Sequence, residues 1–351
     1  MYTLTHDYLI IGQGLAGSIL ALHLISAGKS VMVLDNNHKA SSSMVAAGII
    51  NPVTGHRLNI TEGFAEFYPA AQEYYKSLEQ LLNIEIWRPV QQLRLIKNQG
   101  QLDYLNKRRN DDEYKGLISE LEHNKYFPDA SFGAIRIAKT AAVDVSALLR
   151  ASKQWLLEQK YYECKKVDYA KFEFRETGVV YESHNAYKVI FCEGYQAINN
   201  PWLQQLPFKL SKGEILTIQT DDTSSHTQAS ELLNWGNWLL PNATDENHKL
   251  GSNYAWNDTS LEPSTAVKEQ LLNSLKETTK LTGKAVNHEV GIRPTTKYRK
   301  PFIGSLKQTP HALCFNGFGS KGCLLIPYYA KLLTDHLLTN STLANELSEC
   351  L

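Results

Sequence analysis

Three glycines at fixed spacing, Gly12-x-Gly14-x-x-Gly17, follow the apolar run Tyr8-Leu9-Ile10-Ile11 and open a helical stretch. The first permits a tight turn, the second lets the backbone approach a pyrophosphate, and the third lets the helix pack onto the strand. The helix start, with Leu15 and Ala16, offers N–H groups and a positive dipole end to phosphates. Asp35 closes the next strand, Ser30–Leu34, where an acid that hydrogen-bonds ribose hydroxyls is expected. A carboxylate there repels a 2′-phosphate, which argues against NADP. This is dinucleotide chemistry, and the unit alone does not separate NAD from FAD. A second glycine-rich turn, Gly317-Phe318-Gly319-Ser320-Lys321-Gly322, opens a later helix. The histidines show no metal-ligand spacing, no C-x-x-C pair occurs, and G-x-S-x-G is absent. Neither a metal centre nor serine hydrolase chemistry has support.

The elements that must hold these residues follow from the hydrophobic pattern. A chain of 351 residues, 43% hydrophobic and 21% charged, can build a sizeable core and roughly two domains. Its 36 basic and 36 acidic residues cancel, so no nucleic-acid partner and no anionic membrane surface is expected. No apolar run is long enough to predict a membrane span. The odd cysteine count, Cys164, Cys192, Cys314, Cys323 and Cys350, fits a reducing cytosol and a cytoplasmic protein. The apolar N-terminal stretch lacks a basic start, carries Asp7 and is punctuated by glycines, so it reads as mature fold. Helices are predicted over 64–84, Val145–Gln159, Ser264–Leu281 and Cys323–Leu338, the first helix ending near Ala27-Gly28. Strands are predicted over Gln91–Ile96, Lys171–Phe174, Val179–Glu182, Lys188–Cys192, Ile215–Gln219, Trp238–Leu240 and Ala312–Phe315. Segment 86–140 is otherwise mixed, and Lys107–Glu113 reads as a solvated surface. With no linker of low complexity, the two lobes are expected to interleave.

Four segments resemble the D-amino-acid oxidase-like FAD oxidoreductases, glycine oxidases in particular. Ser41-Ser42-Ser43-Met44-Val45-Ala46-Ala47-Gly48-Ile49 resembles the stretch after that family's second strand. Gly291-Ile292-Arg293-Pro294, running on to Pro301-Phe302-Ile303-Gly304, is similar to its G-x-R-P…P-x-I-G segment. Gly317–Pro327 resembles its C-terminal flavin loop and helix, and Val143-Asp144 and Val189–Gly194 fall in the family's order. The resemblance implies an α/β fold, a Rossmann-like FAD-binding domain interleaved with an antiparallel-sheet substrate domain. It places residues 1–60, 140–210 and 300–351 in the first and 61–139 and 211–299 in the second.

For the cofactor, FAD, the resemblance implies the Gly12–Gly17 turn and Asp35, then Ser42, Ser43, Ala46, Ala47 and Gly48. It adds Val167 and Gly194, then Gly317, Gly319, Ser320, Lys321, Gly322 and Cys323. Arg293 is implied to grip a substrate carboxylate, with Trp238 and Tyr254 beside the substrate. Lys321 either adds charge near the flavin, helps oxygen react, or faces solvent. Arg57 reads better as a loop surface residue, and Tyr254 and Trp256 read slightly better as sheet packing than as a pocket over the flavin. Three departures from glycine oxidase leave substrate size open. Tyr298 replaces an acid, Trp238 replaces a tyrosine, and Phe318-Gly319 replaces a histidine and a larger aromatic. Lys297, Arg299 and Lys300 suit an acidic or larger substrate, or a plain surface. The implied reaction oxidises the C–N bond of an amino acid or related amine by hydride transfer to flavin N5. Oxygen or another acceptor then takes the electrons. Two other readings stand beside it: a flavoenzyme acting on a modified tRNA base, and a non-catalytic flavin-binding protein.

Overall fold

Strands buried on both faces have no polar side, so continuous apolar runs form the centre of the first sheet. His6–Ile11 lies between Val31–Asp35 and His184–Phe191, parallel to both. Tyr162–Cys164 extends the sheet beyond Val31–Asp35, and Thr309–Asn316 pairs in parallel with His184–Phe191. Phe172–Arg175 and Gly178–Tyr181 add antiparallel strands, and Phe302–Leu306 pairs against Thr309–Asn316. The computed structural model describes residues 5–37, 41–220, 231–242, 247–339 and 343. Cys350 lies outside the described residues.

Successive strand residues point to opposite faces. Tyr8 and Ile10 face a core closed by helices Leu15–Ser26, Phe64–Leu82, Val145–Glu158 and Gly322–Thr339. Leu9 and Ile11 face a second core that contains Phe172, Phe191 and Leu203. The other large sheet runs, in spatial order, Ala255–Trp256, Ser211–Thr220, Asn247–Gly251, Trp238–Pro241, Leu232–Asn234, Gln92–Leu95 and Ala134–Ile137. Gly283–Arg293 also pairs with Ser211–Thr220. This sheet is antiparallel except where Leu232–Asn234 meets Gln92–Leu95. Helix Thr265–Thr279 covers it through Leu271 and Leu275. The first sheet draws on chain segments 6–35, 162–191 and 302–316, the other on 92–95, 134–137 and 211–293, so the two are interleaved.

Caps explain where the helices stop. Ser264 Oγ accepts from Val267 N, and Lys280 turns left-handed at φ 63°, which trims the helix expected over Ser264–Leu281. Gly28 takes φ 77°, as its place after the first helix requires. Helix Gln99–Arg108 lies in the segment read as mixed. Asn98 caps it by accepting from Gln101 N, but Leu102 and Leu105 are its only apolar side chains apart from Tyr104, too few to give a period. Among the described residues no helix is long and apolar enough to cross a membrane.

Candidate functional site

Parallel sheets bind ligands at the carboxyl ends of their strands. Here those ends lead to Gly12, Asp35, Lys165–Val167, Cys192–Gly194 and Asn316, all of which line one cavity of about 910 Å³. Its far wall comes from the antiparallel sheet and its loops: Ile215, Trp238, Ser252, Tyr254 and Arg293.

The first turn is held open by close backbone contacts. Gly12 has φ 101°, and a Cβ there would lie 2.7 Å from the Cys192 carbonyl oxygen. A Cβ on Gly17 would sit 1.9 Å from the Gly12 oxygen. Gly17 does not line the cavity; it lets the helix lie against the turn that does. Gly12, Gly14, Leu15 and Ala16 line it. The helix they begin has no side-chain cap at Gly14 and no acid in its first turn. Its N-terminal N–H groups therefore suit an anion. Leu15 N donates to Ser43 Oγ at 3.1 Å, which ties the turn to the Ser42–Val45 helix. Asp35 accepts from Gln13 N at 2.9 Å and Asn37 N at 2.7 Å, and lines the cavity beside Val167.

Ser42, Ser43, Ala46, Ala47 and Gly48 form another wall. Gly48 has φ 72°, and a Cβ there would lie 1.8 Å from the Val143 oxygen, so only glycine lets this segment bend. At the opposite end, Asn316 Nδ2 donates to Gly194 O at 2.8 Å while its Oδ1 accepts from Gly317 N. Gly319, Ser320, Lys321, Gly322 and Cys323 line the cavity at the start of helix Gly322–Thr339, which also lacks an acid in its first turn. Gly317 does not line it. With φ 89° it packs on Thr296 and lets the loop turn. Lys321 is exposed at the cavity rim. Burial lowers its pKa first, then Arg299, with Glu62 opposing.

Arg293 ends strand Gly283–Arg293 and points into the cavity. Nη2 donates to Ser252 Oγ at 2.9 Å, and Nη1 to the carbonyls of Asn253 at 3.3 Å and Lys212 at 3.4 Å. Cζ lies 4.1 Å from the Tyr254 ring centre. No carboxylate pairs with it among the described residues. Burial pushes its pKa down, with the Tyr254 hydroxyl opposing. A guanidinium has five N–H donors, so this one keeps capacity for an anion. Trp238 lies across from Gly251 and packs over it, and a Cβ on Gly251 would lie 2.8 Å from the indole. Arg57 is exposed, does not line the cavity and fits the surface reading.

Several lining residues carried no sequence signal. Glu193 follows the apolar strand run and accepts from Tyr169 OH at 2.6 Å and Asn200 Nδ2 at 2.7 Å. Burial raises its pKa to about 7 against those two hydrogen bonds. Ser252 and Gly213, which shape the Arg293 setting, belong to strands and loops far apart in sequence. The pairing of Ser211–Thr220 with Gly283–Arg293 brings Gly213 to it, and the pairing of Ser211–Thr220 with Asn247–Gly251 brings Ser252.

The lining fits FAD. An uncapped helix start stands beside glycines with no room for a Cβ, an acid sits at the end of the second strand, and a second helix start closes the other end. Residues 7–336 match the family described as DAO, FAD dependent oxidoreductase. Glycine oxidase from Geobacillus kaustophilus is similar in fold, with a TM-score of 0.81 at 17% identity over 99% of this chain and 98% of that one. Iminodiacetate oxidase from Chelativorans sp. BNC1 gives a TM-score of 0.78 at 19% identity over 97% of each chain. An uncharacterized oxidoreductase of Bacillus subtilis (strain 168), YurR, is 28% identical over 159 residues, 41% of this chain and 42% of that protein. That alignment thus spans less than half of the curated relative's length. The family match covers nearly all of the cavity-forming sequence, and the chain belongs to the FAD dependent oxidoreductase family, with FAD as its cofactor.

Proposed function

We propose that this protein oxidises the C–N bond of an amino acid or a related amine. The observation that carries this reading is Arg293: a half-buried guanidinium in the cofactor cavity, held by neutral oxygens and lacking an acidic partner among the described residues. A cation so placed suits an incoming carboxylate, which it grips through two parallel N–H···O bonds. Bound FAD supplies the two-electron acceptor that turns a substrate C–N single bond into an imine, which water hydrolyses. The chain's own task is orientation. Arg293 fixes the carboxylate, the Tyr254 ring holds the guanidinium plane, and Trp238 limits the space beside it. The uncapped start of Leu15–Ser26 takes the phosphates and Asp35 the ribose hydroxyls.

On this reading residues 1–60, 140–210 and 300–351 are the FAD-binding domain and the remainder the substrate domain. The distribution of strands between the two large sheets supports that partition, while helix Phe64–Leu82 departs from it by packing into the core of the first sheet. The partners are a small-molecule substrate and oxygen or another electron acceptor. The thiols of Cys164, Cys192, Cys314 and Cys323, none in a disulfide, support a cytoplasmic location.

Anaerobic titration of the FAD-loaded protein with amino acids and N-methyl amino acids tests the reading, with bleaching of the flavin bands as the readout. Arg293→Ala should keep FAD but raise KM for the reducing amino acid about 100-fold or more, since charged hydrogen bonds contribute about 1.5–3 kcal/mol each. Arg293→Lys should recover only part of the loss, because an ammonium lacks the planar fork. An unchanged KM in Arg293→Ala would sink the carboxylate role.

A further inference from the structure

Arg293 is the inner end of a ladder of cations and rings that leads out of the cavity. The Tyr254 ring lies 4.1 Å from the guanidinium. The Trp256 ring follows, its centre 6.3 Å from that of Tyr254 and tilted by 31°. Lys209 Nζ then lies 4.7 Å from the Trp256 ring centre. The first two rungs line the cavity and the last two do not. Tyr254 is 54% exposed and Trp256 48%, although large aromatic side chains are usually turned inward.

The backbone fixes this arrangement. Trp256 pairs with Ser211, Lys209 N donates to Thr295 O at 2.6 Å, and Asn253 Oδ1 accepts from Glu214 N at 2.8 Å. Lys212, buried beneath the same strand, donates to Ser260 Oγ at 2.9 Å and Glu262 O at 2.7 Å, which secures the loop beyond Trp256. Lys209 is exposed and has no carboxylate partner among the described residues. Two exposed rings, inclined to each other by 31° and set between two cations without carboxylate partners among the described residues, form a surface for a flat, apolar body with an anion at each end.

We propose that the substrate is an extended amino acid: its carboxylate meets Arg293, a planar body lies along Tyr254 and Trp256, and a distal anionic group reaches Lys209. This rests on the amino-acid reading above and adds the chemistry of the substrate's far end.

The test uses FAD-loaded protein under anaerobic conditions and three achiral probes: glycine, N-benzylglycine and N-(4-carboxybenzyl)glycine. Dissociation constants come from calorimetry and from quenching of tryptophan fluorescence. The benzyl ring should tighten binding by roughly tenfold over glycine, and the distal carboxylate by roughly threefold more. Trp256→Ala should remove the first gain and Lys209→Ala only the second, while glycine binding stays unchanged in both. Arg293→Ala should weaken all three probes. Equal affinity for the three probes in the unsubstituted protein overturns the ladder, even if an amine still reduces the flavin. Gains that survive both outer variants overturn it as well. Binding of none of the probes overturns both the ladder and the amino-acid reading.

Discussion

A single methyl group at Gly213 should disable the proposed carboxylate site without removing any polar group. Strand pairing sets Gly213 opposite Gly291, two residues before Arg293 on the neighbouring strand. A Cβ on Gly213 would lie 2.1 Å from Nη2 and 2.3 Å from Cζ of Arg293. Ordinary contact needs about 3.5 Å, so the guanidinium must retreat by more than about 1 Å. Gly213 does not adopt a left-handed backbone, so alanine introduces no dihedral strain. A misplacement of about 1 Å in a positioning group costs on the order of 100-fold in rate. Because the crowded atoms are the far end of a flexible side chain, the guanidinium gives way and the loss of stability is small. The expected outcome for Gly213→Ala is a folded, FAD-loaded protein whose kcat/KM for the reducing amino acid drops about 100-fold, mostly through KM. Anaerobic stopped-flow reduction over a range of substrate concentrations separates the two parameters. A KM equal to that of the unsubstituted protein, with full FAD content, would refute both the crowding argument and the role of Arg293.

Other expectations follow from the same geometry. Gly17→Ala puts a Cβ 1.9 Å from the Gly12 oxygen, so it should lower Tm and release FAD; flavin retention on a desalting column reads this directly. Asp35→Ala should weaken FAD binding by at least about tenfold, the effect of losing one hydrogen bond to a charged group; recovery of flavin fluorescence on dilution would show it. Glu193 gives a pH signature. Its folded pKa is raised to about 7 from an unfolded value of 4.5. As pH rises through that window the unfolded chain loses its proton first, so stability falls, then levels off once the folded group has ionised. Melting of the FAD-free protein should show this fall, and Glu193→Gln should flatten it; parallel curves for the two proteins would reject the assignment. Lys321→Met removes a cation from the cavity wall and should move the flavin midpoint potential to more negative values, as measured by dye-equilibrated reduction.

The amino-acid order alone marked the dinucleotide-binding turn of this protein. A buried parallel strand must be apolar throughout, a phosphate turn must be glycine-rich, and an acid must close the second strand; Tyr8–Ile11, Gly12–Gly17 and Asp35 meet these local demands within one short stretch. Amphipathic periods likewise marked the helices starting at Phe64 and Val145, because each buries a single face. Helix Gln99–Arg108 escaped because a short, mostly solvated helix leaves almost no period to read. Arg293 was legible only through a resemblance, since one arginine in a strand carries no local mark of its ligand. Tertiary structure decided its setting. Gly213, Ser252 and Tyr254 reach it by strand pairing over long sequence separations, and so do Trp256 and Lys209 beyond it. Sheet register, not sequence spacing, decides which side chains share a wall. The phosphate turn is thus written along the chain, whereas the cavity wall around Arg293 exists only once the second sheet has closed over the first.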